Sequence, residues 1–203
     1  ASNDRFGHSV AISNNYAIVG AYGDSDNGAA SGSAYIFKRD NSNGTWSQTA
    51  DLKLPFAYLH NNDYYGYSVA ISGDYVIIGA YQNSSSSAAQ PWSDSTSYED
   101  SGAAWIWKRD SGAETWSFTQ FLKASVIEAD AEFGYSVAIE GDYVAIGAKN
   151  YGNNRQGAVY IFKRDTGAET WTQQDLLEAS NASYMAKFGY SVAIEGDYVV
   201  VGA

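Results

Sequence analysis

Cysteine is absent from the 203 residues, which excludes disulfides and thiolate metal sites. A well-packed repeat protein needs no such staples, so this absence fixes no redox compartment. Charge is sparse too: only 17 % of residues are Asp, Glu, Lys or Arg, and the solubilising surface has to come from Ser, Asn, Gly, Gln and Thr. Basic residues are the scarcer sign, 12 Lys plus Arg against 23 Asp plus Glu, for a net −11. A field of that sign repels phosphate backbones and anionic lipid, so neither nucleic-acid binding nor membrane-surface binding is expected, and cations or basic partners are favoured. No apolar run approaches the roughly 18 to 20 residues that span a bilayer, so no membrane insertion is expected of this segment. The chain shows no initiator methionine and no basic leader with an apolar core, so any secretion signal is expected to lie outside it. Reaction signatures are missing as well. There is no HExxH, GxSxG, GxxxxGK, GxGxxG or RGD, and the acidic pair Asp130 and Glu132 reads as a solvating loop feature.

What the chain has is one phrase said four times. FGHSVAISNNYAIVGA begins at Phe6, YGYSVAISGDYVIIGA at Tyr65, FGYSVAIEGDYVAIGA at Phe133 and FGYSVAIEGDYVVVGA at Phe188, with starts 59, 68 and 55 residues apart. That period is too long for a solenoid coil and suits one propeller blade. With 45 % hydrophobic and 15 % aromatic residues, the array can build a substantial core.

Each full unit parses into four strands. In the third these are FGYSVAI from Phe133, YVAIGA from Tyr143, GAVYIFKRD from Gly157 and TWTQQDLL from Thr170. Aromatic and β-branched runs bounded by Gly, Asp and Asn read as strands, and the short turns between them demand antiparallel pairing. Along the first strand, Tyr135, Val137 and Ile139 alternate with Gly134, Ser136 and Ala138, so neither face is charged and both are expected to be buried, one large and one small. Radially packed blades need that asymmetry; a sandwich strand would put polar residues on its outer face. The third strands end at Lys38-Arg39-Asp40, Lys108-Arg109-Asp110 and Lys163-Arg164-Asp165, read here as solvated strand ends with an Asp-led turn. His8 falls in a strand and His60 in an inter-blade loop, with no carboxylate at catalytic spacing. An all-β array of propeller blades is therefore expected: three complete blades near residues 4–54, 63–123 and 131–178, and half of a fourth over 186–203.

The FG…SVAI…VGA frame closely resembles the FG-GAP repeat, best known from the integrin α-subunit head. That resemblance covers essentially the whole chain and implies a β-propeller in a secreted or surface protein. Two departures stand out. The proline of the family's last triplet is Tyr22, Tyr81 and Lys149 here. The calcium loop of integrin-like repeats, between first and second strands, is replaced by Ser13-Asn14-Asn15, Ser72-Gly73-Asp74, Glu140-Gly141-Asp142 and Glu195-Gly196-Asp197. Such turns are too short to wrap six or more oxygens around the ion, so that site is not carried over to any blade.

Candidate site residues lie on other loops. Asp24 and Asp26, in Gly23-Asp24-Ser25-Asp26-Asn27-Gly28, have alternating ligand spacing and are the calcium candidates, against an ordinary Asx turn; no other cofactor is expected. Trp92 and Tyr98, in the longest loop, are candidate anchors for a protein or glycan partner. The resemblance places that loop on the usual ligand face. Asn43, Asn83 and Asn181 head sequons that would accept glycans in a eukaryotic secretory pathway. Three and a half blades leave apolar faces and edges open, so either a longer chain with more repeats or copies assembling as a fibre is expected. The reading is a non-catalytic, extracellular adhesion, binding or structural scaffold. Its alternatives are a self-assembling subunit of a fibre or surface appendage, and a carbohydrate-binding propeller.

Overall fold

The computed structural model describes residues 3–54, 60–87 and 96–203. Its elements run β1 (Val10–Ser13), β2 (Tyr16–Ala21), β3 (Ser33–Arg39), β4 (Trp46–Asp51), β5 (Ser68–Ser72), β6 (Tyr75–Ala80), a 3-10 turn (Thr96–Tyr98), β7 (Ala103–Asp110), β8 (Thr115–Leu122), β9 (Phe133–Glu140), β10 (Tyr143–Ala148), β11 (Ala158–Asp165), β12 (Thr170–Leu177), β13 (Ser191–Glu195) and β14 (Tyr198–Gly202). They form three four-stranded antiparallel sheets in sequence order and one two-stranded sheet, β13–β14. The fold is all-β, as the repeats predict. His8 falls just before β1, not in a strand.

The turn between first and second strands takes a positive φ at its first position in every copy: Asn14 (52°), Gly73 (56°), Gly141 (52°) and Gly196 (55°). Only Gly and Asn hold that conformation cheaply, and those are the residues found there. The third and fourth strands carry a bulge at one repeat position, after Ile36, Ile106 and Ile161, which increases local twist.

The cores lie between sheets. Tyr16 and Ile18 of the first blade pack with Val69, Ile71, Val76, Ile78 and Trp105 of the second. Tyr75, Ile77 and Ile106 of the second pack with Val137, Ile139, Val144, Ile146 and Trp171 of the third. Alternate residues of β6 thus face opposite neighbours, and each large side chain removed from water contributes roughly 1.5–3 kcal/mol. Where a neighbouring sheet is lacking the same positions are open: Val10 and Ile12 are 65 % and 66 % exposed on the first blade, and Tyr198 and Val200 of β14 are 77 % and 69 % exposed.

The thin face has a specific cause. Gly66, Gly134 and Gly189 sit at φ near +90° against the Ser33, Ala103 and Ala158 carbonyls of the preceding blade, and their own carbonyls press on the Cα of Gly20, Gly79 and Gly147. The two glycines of the repeated phrase therefore meet each other across every junction. Ser68 and Ser136 add hydrogen bonds to the Gly134 and Gly189 carbonyls at 2.7 and 2.8 Å.

A second link closes the outer part of each junction. Arg109 Nε bonds Asp74 Oδ1 at 2.9 Å, and its Nη1 donates to Tyr16 Oη of the preceding blade at 2.8 Å. Tyr16 in turn donates to Glu114, which also takes Lys38 Nζ at 2.9 Å. One blade on, Arg164, Asp142, Tyr75, Glu169 and Lys108 repeat the arrangement with the same distances to within 0.2 Å. This corrects the expectation of solvated strand ends at Arg109 and Arg164, whereas Arg39 and Asp40 of the first blade are exposed. Asp110 and Asp165 do lead turns, accepting from Gly112 and Gly167 N at 2.8 Å, but the arginines beside them are largely buried clasps between blades.

Candidate functional site

In every copy an aromatic ring stands directly after the glycine that opens the phrase: His8, Tyr67 and Tyr190 just ahead of β1, β5 and β13, and Tyr135 within β9. The exit residue of each second strand, Tyr22, Tyr81 or Lys149, lies beside it, and Tyr64 joins from an inter-blade loop. The β1, β5, β9 and β13 strands pack one against the next, so these side chains form a row at one end of the innermost strands. His8 contacts Tyr22 and Tyr67 with centroids 4.7 Å apart. Tyr67 meets Tyr81 at 4.4 Å and Tyr135 at 5.1 Å, and Tyr135 meets Tyr190 at 5.2 Å. Tyr64 stacks on Tyr81 at 5.5 Å.

His8 and Tyr190 at the ends of the row are exposed and the rings between them half-buried, and their packing is mostly edge-to-face or tilted, the favourable arrangement for aromatic quadrupoles. Tyr67 Oη donates to Tyr135 Oη at 3.1 Å. Burial pushes the phenols of Tyr67, Tyr81 and Tyr135 above the ordinary range, so all three are neutral hydroxyls at physiological pH. Lys149 Nζ sits 3.9 Å from the Tyr135 ring centroid, a cation–π contact. Glu132 pairs with that ammonium and accepts Asn150 Nδ2 at 2.9 Å. The result is a rigid aromatic strip edged by hydroxyls and one ion pair. It can stack against flat apolar surfaces and exchange hydrogen bonds with polar ones, but it holds no acid–base pair aimed at a common point. Sequence reasoning missed the strip. Its signal was present, an aromatic ring after the glycine in all four copies.

The calcium candidates are placed differently from a coordination shell. Asp24 is buried and accepts Asp26 N at 2.9 Å and Tyr35 Oη at 2.7 Å. Lys53 Nζ lies 3.7 Å from Asp24, 2.5 Å from Asp26 and 3.3 Å from Asp51. Burial works against charge on Asp24, yet the hydrogen bonds from Asp26 N and Tyr35, with the Lys53 charge, hold its carboxyl below the usual value. The loop is an Asx turn with an ammonium among its carboxylates. Among the described residues, no group of three or more His, Cys, Asp or Glu converges as a metal site.

In the next blade Lys123 takes the place of Lys53 and Asn83 that of Asp24. Lys123 is buried, donating to Gly102 O at 2.6 Å and Ser101 Oγ at 2.8 Å. Asn83 is fully buried: its Nδ2 donates to Asp63 at 3.1 Å and its Oδ1 accepts from Ser85. This corrects the sequon reading, because the nitrogen that would carry a glycan is sealed inside the fold. Asn43 and Asn181 are exposed, Asn43 within a turn where its Oδ1 accepts Thr45 N at 2.9 Å. Tyr98 is half-buried at the end of its 3-10 turn. Trp92 lies outside the described residues.

Radial four-stranded antiparallel sheets with cores between them define a β-propeller architecture. The sequence matches the FG-GAP repeat family over residues 1–37, 59–107, 116–162 and 171–203, and the chain belongs to that family. Among solved structures it is similar to Sqt1 of Saccharomyces cerevisiae, with a TM-score of 0.50 at 8 % identity over 89 % of this chain. The chain spans 37 % of the Sqt1 chain's length, and the likeness concerns the fold alone. No curated protein matches the sequence.

Proposed function

We propose that this chain is a non-catalytic binding scaffold acting at a cell surface or outside the cell, and that it engages a protein or glycan through the tyrosine strip. The observation carrying this reading is the unbroken row of rings from His8 to Tyr190 on the end shared by the inter-blade and second-to-third-strand loops. Tyrosine provides large, rigid, amphipathic contact area at low entropic cost, which is why it is enriched at interfaces. The surface setting is supported by membership of the FG-GAP family.

The test compares wild type with Tyr67→Ser, Tyr81→Ser and Tyr190→Ser on glycan arrays and on a panel of candidate surface proteins. The reading expects at least one ligand whose binding falls tenfold or more in these variants while Tm of Tyr190→Ser, the most exposed of the three, is unchanged. A ligand bound equally by all four proteins would overturn the placement.

A second reading, a self-assembling structural subunit, is supported by the exposed apolar rows Val10 and Ile12 on one outer sheet and Tyr198 and Val200 on the other. These are unlike surfaces, so contact between copies would be head-to-tail and able to propagate as a fibre. Sedimentation across concentration, with electron microscopy, separates a monomer from a polymer.

A further inference from the structure

Tyrosine is the chain's main oxidisable group in place of sulfur. Cysteine is absent and Met185 is the one methionine, so the thiol and thioether groups that take up oxidising equivalents first are nearly missing, whereas tyrosine occurs 17 times. Tyr22, Tyr64, Tyr67, Tyr81, Tyr135 and Tyr190 form one connected set, with neighbouring ring centroids 4.4 to 5.5 Å apart. Within it, Tyr67 leads into β5 of the second blade and Tyr135 lies in β9 of the third, 68 residues on, and β5 packs against β9. Their hydroxyls are 3.1 Å apart, and their centroids 5.1 Å apart with the planes tilted by 44°. Rings that met only through their oxygens would hold their centroids much further apart. These two therefore run alongside each other with their phenolic ends converging, which also brings together the carbons ortho to each hydroxyl. Those carbons carry unpaired spin when a phenol loses a hydrogen atom. The Tyr67–Tyr81 and Tyr81–Tyr135 contacts, at 61° and 76°, instead aim the edge of one ring at the face of the other.

We propose that Tyr67 and Tyr135 are an oxidative cross-linking site, joined as dityrosine by a one-electron oxidant of the haem peroxidase and hydrogen peroxide class. Each phenol gives up one electron and its hydroxyl proton. The two phenoxyl radicals couple through one ortho carbon of each ring, forming a C–C bond. The two ortho C–H bonds then break, and their protons return through water to the phenolic oxygens. One peroxide takes up the two electrons and two protons and leaves as two waters. The oxidant need not touch the half-buried pair, because an electron vacancy created at any ring of the set can pass between neighbours this close. The bond would tie the innermost strand of the second blade to that of the third and restrict the unfolded chain as a disulfide does, in a protein that has none. The surface setting proposed above supplies the oxidising surroundings, but the coupling depends on no ligand of the strip.

The test treats the dilute, intact chain with hydrogen peroxide and a haem peroxidase. A parallel sample receives a ruthenium photo-oxidant with persulfate, which covers the case of a peroxidase too bulky to approach. Dityrosine fluorescence is read on the monomer after separation under denaturing conditions, and the cross-linked peptides are mapped by mass spectrometry. A fluorescent monomer is expected, with the peptide holding Tyr67 joined to the one holding Tyr135. Tyr67→Phe and Tyr135→Phe keep the rings in place and should each lower the monomer signal fivefold or more. Tyr184→Phe, at a site 70 % exposed and outside the set, should leave it unchanged. The oxidised wild type should also melt higher than the untreated protein, and Tyr67→Phe should lose that gain. An undiminished monomer signal in both strip variants would overturn the proposal, as would dityrosine confined to dimers, a bond mapped to another pair, or no dityrosine with either oxidant. None of these readouts involves a bound partner, so they stand or fall separately from the binding test of the strip.

Discussion

Tyr75 and Glu169, 94 residues apart in sequence, meet across the second blade junction, where the tyrosine hydroxyl donates to the carboxylate. Tyr16 and Glu114 hold the same relationship one blade earlier. The hydrogen bond from the tyrosine, and then that from the lysine, hold each glutamate at about 2, well below an ordinary carboxylate.

An acid limb of stability follows from that depression. A carboxyl whose folded pKa lies below its unfolded value of about 4.3 contributes stability that is complete above about pH 4.3 and lost as pH falls towards 2. Melting temperature should therefore fall between pH 4 and pH 2. Both glutamates are about 40 % exposed, so each contribution is modest. The double variant Glu114→Gln/Glu169→Gln should melt lower than wild type at pH 7 and show a shallower acid limb. A limb of unchanged steepness would place the acid sensitivity in other carboxylates.

Lys123 predicts a second window, at alkaline pH, in which stability again rises with pH. Burial pushes its ammonium down to about 7, with the charge on Asp63 opposing that shift. Between about pH 7 and the unfolded value near 10.4 the unfolded chain binds the extra proton, so stability should rise with pH across this window. Lys123→Met keeps the stem and removes the titration. Urea unfolding at pH 7 and pH 9.5 should show a clear gain for wild type, and little or none for the variant.

Glycines at the thin face and in the turns should separate cleanly. A Cβ at Gly134 would collide with the Ala103 carbonyl, and its φ is +89°. At Gly141 φ is +52° with nothing within 4 Å of the added atom. Gly141→Ala should cost about 1–2 kcal/mol, the left-handed penalty alone. Gly134→Ala adds overpacking of about 1–3 kcal/mol and should be clearly the worse of the two by denaturant unfolding. Equal losses would show that the junction can open to admit a methyl group.

Much of the architecture could be read from the chain because its signals are local. Alternation along Phe133–Ile139, the Gly-Asp turns and the fourfold phrase each belong to one strand or one turn, and each has its expected place in the fold. The small face was legible as composition at Gly134 and Ser136, but not that its partner is Gly79, a glycine of the same phrase one blade earlier. Contacts between blades depend on the stagger of neighbouring sheets, which sequence spacing does not encode. Arg109 therefore read as a solvated strand end although it reaches Tyr16, 93 residues away. Asn83 read as a surface sequon for the same reason: its burial comes from Asp63 and Lys123, brought together only by packing. The tyrosine strip was within reach, since its residues recur at fixed repeat positions.

The loop at Asp24 sets a final prediction, because the same carboxylates serve either a lysine or a cation. Lys53 brings its ammonium to Asp24, Asp26 and Asp51, supplying the positive charge that would otherwise have to come from a bound ion. Wild-type Tm should then be the same in millimolar calcium as in EDTA. Lys53→Met keeps the apolar stem but strands the buried Asp24 without its counter-charge, and should destabilise by about 1–3 kcal/mol. With the ammonium gone, three carboxylates share one loop and their repulsion is relieved by a hard cation, which favours oxygen ligands. Calcium should therefore raise the Tm of Lys53→Met and leave wild type unmoved. A wild-type Tm that rises with calcium would mean that the ion competes successfully with Lys53, and the loop would then be a metal site in its own right.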